Sequence, residues 1–146
     1  MTCIPLTVCN LLKKKNNLIL TVSPKDTVYD AIRIMAEKKI GALLVLEGEK
    51  LVGVISERDY LTKIILLNRA SKETLTEEIM SGNVHVVSLD SSVDECMALM
   101  TERKIRHLPV VEQEKVVGMI SIGDVVREII EERQFEIEQL EKYITG

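Results

Sequence analysis

The sequence predicts an α/β fold made of two tandem β-α-β-β-α repeats, with a short helix before them and a helical extension after. Three observations carry that prediction. Sliding the chain by 65 residues superposes its two halves without a gap: Val28 falls on Val93, Met35 on Met100, Ile40 on Ile105, Val52-Gly53 on Val117-Gly118 and Asp59 on Asp124. Within each half, runs of β-branched and apolar residues alternate with stretches of 3.6-residue spacing. Hydrophobic residues make up 46% of the 146, yet aromatics only 3% and Trp none, so the core is built from Val, Ile, Leu and Met.

The elements follow in order. Val8, Leu11 and Leu12 share one side of a short helix that ends in a polar turn at residues 13–17. Leu18–Val22 reads as a strand closed by Ser23-Pro24. Thr27 can cap a helix whose apolar residues are Val28, Ala31, Ile32 and Met35, closed by Lys38-Lys39. Ala42–Leu46 and Leu51–Ile55 are strands joined by a tight turn over Glu47–Lys50, and a helix runs from Asp59 to about Asn68. A polar linker with one helical turn, Leu75–Met80, ends at Ser81-Gly82. The pattern then returns as strand Val84–Ser88, helix Ser92–Arg103, strands His107–Val111 and Val116–Ile120, and a helix from Asp124. The boundaries are therefore 1–17 for the first helix and turn, 18–68 for repeat one, 69–82 for the linker, 83–130 for repeat two and 131–146 for the extension. Each half is small and leaves an apolar sheet face that its twin can cover. Over the last stretch, Asp124 to Ile144, the residues Val125, Val126, Ile129, Ile130, Ile137, Leu140 and Ile144 lie near one stripe, with the glutamates mostly off it, which suits packing on this chain or on a second copy.

Composition narrows the function. A net charge of −4 argues against a phosphate-backbone binder, and Lys13-Lys14-Lys15, the one basic run, reads as a solvated turn. Three cysteines, Cys3, Cys9 and Cys96, are too few for a disulfide framework and point to a reducing compartment, with only Cys3 and Cys9 open to oxidation. No metal is expected, since neither CxxC nor a Cys/His cluster occurs. With no membrane-length apolar run and no signal-peptide pattern, a cytoplasmic protein is expected. Two histidines, no Ser/His/acid arrangement, no P-loop and no GxGxxG argue against an enzyme. Met35, Met97, Met100 and Met119 read as core fillers, and Cys96 as inert packing on a helix face.

The chemistry-bearing motif is the one that closes each repeat: Val52-Gly53-Val54-Ile55-Ser56-Glu57-Arg58-Asp59 and Val117-Gly118-Met119-Ile120-Ser121-Ile122-Gly123-Asp124. Each reads as a strand ending at a serine, two residues of turn, and a helix starting at an aspartate. Unpaired N–H groups at a helix start attract anionic oxygens; the hydroxyl adds a phosphate-bonding group and the carboxylate an acceptor for sugar hydroxyls. The plain alternative, that Asp59 and Asp124 only cap their helices, is a common use of Asp.

These motifs, with Ile105-Arg106-His107-Leu108-Pro109-Val110 inside the second repeat, resemble a pair of cystathionine-β-synthase (CBS) domains over about Leu18–Ile130. Ile40–Val45, Ser56–Tyr60 and the tail from Glu138 resemble a subgroup of small stand-alone CBS-pair proteins. The resemblance implies a pseudo-twofold module that binds an adenine nucleotide (AMP, ADP, ATP or NAD(H)) in clefts between its repeats. It further implies assembly of two modules, here a homodimer, and relay of energy or redox state to an effector protein. Carried onto this chain, one cleft takes Ser56 and Arg58 for phosphate and Asp59 for ribose. Asn83, Val84 and His85 enter from the second half, with backbone groups of Val84 and His85 meeting the adenine edge; Ile105 and Pro109 form an apolar wall, and His107, if protonated, adds a positive contact. The other cleft takes Ser121, Gly123 and Asp124 with Ile19, Leu20, Ile40, Ala42 and Leu44. There Gly123 replaces Arg58 and Ala42 replaces His107, so both candidate phosphate cations are gone and unequal sites are expected. Arg58 and His107 also have plain readings, as a surface pair with Glu57 and as a half-exposed sheet residue. The competing function is a ligand-independent dimeric scaffold that partners through its C-terminal helix. Neither nucleic acid nor membrane is expected as a partner.

Overall fold

The computed structural model describes residues 3–15 and 19–145. The chain divides into two compact units: Ile19–His85 is one, and Met1–Leu18 with Val86–Gly146 the other.

In the first of these, β1 (Thr21–Val22) runs parallel to β2 (Ala42–Glu47), which pairs antiparallel with β3 (Lys50–Ser56). Between β1 and β2 lies α2 (Val28–Lys38), its N-terminus capped by the Thr27 hydroxyl and its C-terminus closed by Lys39 in the left-handed region. Val28, Ala31 and Met35, on one face of α2, join Leu43, Val45 and Ile55 from the sheet in an aliphatic core. The chain leaves β3 through α3 (Glu57–Tyr60) and a π-helical turn over Leu61–Ile65, then returns through α4 (Thr76–Ile79), whose Ile79 completes the core.

The other unit repeats this plan. α5 (Val93–Arg103) is capped by Ser92 and closed by Lys104, again left-handed. β4 (His107–Glu112) pairs with β5 (Lys115–Ser121) in the register of β2 and β3: His107 faces Ser121 as Ala42 faces Ser56, with a shift after Val110 as after Val45. The 65-residue duplication therefore holds for hydrogen-bond register as well as for residue type. α6 (Ile122–Thr145) follows as one 24-residue helix.

α1 (Val8–Lys14) belongs to this unit. Val8, Leu11 and Leu12 are buried in its core beside Val93, Met100 and Val125. The backbone repeats here too. Val93 N–H donates to Leu6 O, Val8 N–H to Ser91 O and Cys9 N–H to Leu89 O; in the other unit Val28 N–H donates to Thr74 O, Thr76 N–H to Asp26 O and Glu77 N–H to Pro24 O. α1 and α4 are thus counterparts, and the stretch read as a linker is a structural part of the repeat. The sequence shift misses this because the offset here is 68, not 65.

Several expected boundaries move. Of the strand expected at Leu18–Val22 only Thr21–Val22 pairs, and Leu18 lies outside the described residues. The strand expected at Val84–Ser88 reduces to one parallel bridge, Val87 with Val110, the counterpart of Val22 with Val45. Lys13 and Lys14 continue α1 instead of turning, while Asn16 and Asn17 lie outside the described residues. The helix after β3 does not run regularly to Asn68, which sits at φ 54. Cys3 and Cys9, the two cysteines expected to be open to oxidation, form a disulfide, their Cα atoms 5.5 Å apart, whereas the cysteine count pointed to a reducing compartment.

Candidate functional site

Both Ser-x-x-Asp motifs fold the same way, and not as expected in one respect. The helix starts at Glu57 or Ile122, not at the aspartate; the serine stands at the cap position and the aspartate is the third helical residue. Asp59 N–H donates to Ser56 Oγ at 3.2 Å, and the Ser56 N–H donates back to Asp59 Oδ2 at 2.9 Å. Asp124 N–H and Ser121 Oγ, and Ser121 N–H and Asp124 Oδ2, stand at 3.2 and 2.8 Å. Such a reciprocal box satisfies two otherwise orphaned donors. The aspartates therefore take part in capping, but from the third helical position, with the serine as the cap itself.

Capping does not use up either carboxylate. Asp59 and Asp124 are only 14% and 12% exposed, and each carries an ammonium. Lys63 Nζ lies 3.1 Å from Asp59 Oδ1 and donates to Ile79 O at 2.8 Å. At the second motif the residue matching Lys63 is Glu128, so that lysine is lost. Lys15, at the end of α1, takes its place: its Nζ lies 2.8 Å from Asp124 Oδ2 and 2.8 Å from Met119 O. Arg127 approaches Asp124 Oδ1 at 3.4 Å. Burial alone would push the Asp124 carboxyl up; the Lys15 ammonium and the Ser121 N–H outweigh it and hold the group below its ordinary value.

Lys15 reaches Asp124 because α1 is anchored on α6. Glu128, 2% exposed, accepts from Asn10 Nδ2 at 2.6 Å and from Lys14 Nζ at 2.9 Å, and Lys14 also reaches Glu131. Sequence reading took Lys13–Lys15 for a solvated turn and so missed Lys15. Only the docking of α1 reveals it.

The other expected residues are distributed as follows. Ser56, Arg58, Asp59, Ile19, Leu20, Ile40, Ala42, Asn83, Val84 and His85 lie in the unit Ile19–His85. Ser121, Gly123, Asp124, Ile105, His107 and Pro109 lie in the other. Arg58 is exposed, and among the described residues its guanidinium has no partner. Ala42 is fully buried opposite Ser56. Pro109 is buried within β4, where its carbonyl accepts from Val87 N–H. Asn83, Val84 and His85 run without strand pairing.

Burial, then the nearby Lys15 charge, pulls the His107 pKa below the ordinary value, with Asp124 opposing this and Arg106 adding to it. Without an anion beside it the neutral ring is favoured. Cys96 is buried, and desolvation followed by the Glu95 charge raises its thiol pKa to about 11, so it packs without reacting. Among the described residues no group of three or more His, Cys, Asp or Glu could hold a metal ion, and no helix is long and apolar enough to cross a membrane.

Comparison with known proteins matches the duplication. A family model described as CBS domain matches residues 16–66 and again 76–131. The chain is similar to the CBS domain-containing protein CBSX3, mitochondrial, of Arabidopsis thaliana: 39% identity over 149 residues, spanning 96% of this chain and 72% of that protein. It is similar to the solved structure of a CBS-domain protein from Burkholderia ambifaria, at 52% identity and TM-score 0.83, covering 85% of this chain and 93% of the other. The CBS domain pair of protein MJ0100, solved in complex with 5′-methylthioadenosine and S-adenosyl-L-methionine, aligns at 25% identity and TM-score 0.77, covering 88% and 99%.

Proposed function

The chain belongs to the CBS-domain family, with two tandem CBS repeats, and from that premise we propose that it is a regulatory module binding an adenine nucleotide: AMP, ADP, ATP or NAD(H). The observation that carries the reading is the twice-built carboxylate–ammonium pair, Asp59 with Lys63 and Asp124 with Lys15, in a family where the MJ0100 pair holds adenosine ligands. A carboxylate accepts about four hydrogen bonds and an ammonium donates three. Among the described residues Asp124 Oδ2 is taken by Ser121 and Lys15, but Oδ1 has only a long contact with Arg127, and Lys15 uses two donors. One carboxylate oxygen and one ammonium proton remain, which suits a ribose hydroxyl and a phosphate oxygen.

In this reading Arg58 supplies the phosphate cation at the first motif and Lys15 at the second, where Gly123 and Ala42 offer none. The other residues of the two expected sets, Asn83, Val84, His85, Ile105 and Pro109 for one and Ile19, Leu20, Ile40 and Ala42 for the other, are assigned the nucleoside contacts by the family resemblance. The module works as a homodimer in the cytoplasm, catalyses nothing, and passes ligand occupancy to an effector protein by shifting the population of its conformers.

Thermal shift and calorimetry with AMP, ADP, ATP, NAD, NADH and adenosine test this. A nucleotide at 100 times its dissociation constant adds about 2.7 kcal/mol to stability. Asp59→Asn and Asp124→Asn each remove one binding event; Lys15→Ala weakens AMP at the second motif and leaves adenosine unchanged. No shift with any of the six at millimolar concentration overturns the reading in favour of a ligand-independent scaffold. Binding that survives both aspartate changes together overturns the assignment of residues.

A further inference from the structure

α6 is longer than its own unit requires. Its 24 residues rise about 36 Å, yet only Val125 and Glu128 are buried. About 100° around the helix from that docked face lies a second stripe: Val126, Ile130, Ile137, Leu140 and Ile144, each 40–80% exposed. Their spacing alternates between the a and d positions of a heptad repeat, and the one missing d position is Arg133. A stripe with that period is the seam of a two-helix coil, and its charges say which way the second helix runs.

We propose that this stripe pairs with the same stripe of a second copy of the chain, antiparallel; the inference rests on the homodimer of the reading above and specifies its contact. In this register Ile130 lies opposite Leu140 of the second copy and Val126 opposite Ile144. Arg133 faces Ile137 and reaches Glu136 of the second copy, and on the flank Arg127 meets Glu141. The twofold repeats every pair and brings Glu136 of the two copies near each other at its centre, each beside the Arg133 of the other copy. A parallel coil does the reverse: it stacks Arg133 on Arg133 in the seam and sets Glu136 beside Glu141, like against like on both flanks. A polar residue in a seam fixes register and orientation at a cost in stability, which the correct partner reduces.

Sedimentation velocity and crosslinking of the full chain decide it. Arg127→Glu and Glu141→Arg each raise the dimer dissociation constant about three- to tenfold, while the double exchange returns it to within about twofold of the parent. Gln134→Cys, beside the twofold, crosslinks to itself with a short bis-maleimide; Leu140→Cys does not, being opposite Ile130. The native cysteines do not interfere, since Cys3 and Cys9 are joined and Cys96 is buried. A dimer whose charge changes do not compensate, or in which Leu140→Cys crosslinks to itself, overturns the antiparallel seam and leaves the homodimer standing. A monomer at every concentration overturns both.

Discussion

Replacing Glu128 with alanine tests how the N-terminal helix is held and, through it, how Lys15 is delivered. The carboxylate is 2% exposed and accepts two hydrogen bonds, from Asn10 Nδ2 at 2.6 Å and Lys14 Nζ at 2.9 Å. A hydrogen bond to a charged group is worth about 1.5–3 kcal/mol, and the Asn10 contact, part-buried and neutral on the donor side, claims that range. Lys14 is half exposed and keeps Glu131 at 3.1 Å, so its share falls to about 1 kcal/mol or less. The variant should therefore lose about 2–4 kcal/mol, lowering the melting midpoint by roughly 5–15 °C for a chain of this length. Glu128→Gln retains an acceptor for Asn10 and should lose about half as much. The local signature is amide exchange: Val8 and Cys9 donate to Ser91 O and Leu89 O only while α1 is docked, so their protection should fall first. A midpoint within about 1 °C of the parent, or unchanged protection at Val8 and Cys9, refutes the argument that Glu128 anchors α1.

Three other outcomes are expected. Thr76 is fully buried, and among the described residues its hydroxyl has no partner, where its counterpart in α1 is Val8; Thr76→Val should stabilise by about 1 kcal/mol in denaturant titration, and a loss of stability would contradict this. A Cβ at Gly53 would stand 2.5 Å from Met80 Sδ and 3.0 Å from Ser81 O, beside the Val54–Ser81 bridge; Gly53→Ala should destabilise by about 1–3 kcal/mol, and a neutral result would mean that the bridge yields freely. His107 has its folded pKa below its unfolded one, so its contribution is present above about pH 6.5 and lost as pH falls through the folded value. The melting midpoint should therefore drop below pH 6.5, and His107→Gln should flatten that part of the profile; an unchanged slope refutes the assignment to His107.

Much of the fold was legible because it rests on local periodicity said twice. Thr27 as a cap, Lys39 as a helix end, the second helix at 92–103 and the hairpins after Ala42 and His107 all follow from residues within a few positions of one another. The strands before each helix were overread. Apolar β-branched runs at 18–22 and 84–88 carry the strand signal, but only Thr21–Val22 and the single bridge at Val87 find a partner. Pairing is settled by the neighbour, not by the run itself. In α6, period alone merged two faces into one stripe; burial separates Val125 and Glu128 from Val126, Ile130 and Ile137.

Of the candidate site, sequence alone determined the serine and aspartate, because a hydroxyl and a carboxylate three residues apart at a strand end bond to each other's backbone in any context. Tertiary structure decided what stands against the carboxylate. Lys63 meets Asp59 from one helical turn away, whereas Lys15 meets Asp124 across 109 residues of chain, brought there by the burial of Val8, Leu11 and Leu12 and by Glu128. A local bond is written in the spacing of residues; a charge delivered by a docked helix depends on where that helix buries its apolar face, and no spacing records that.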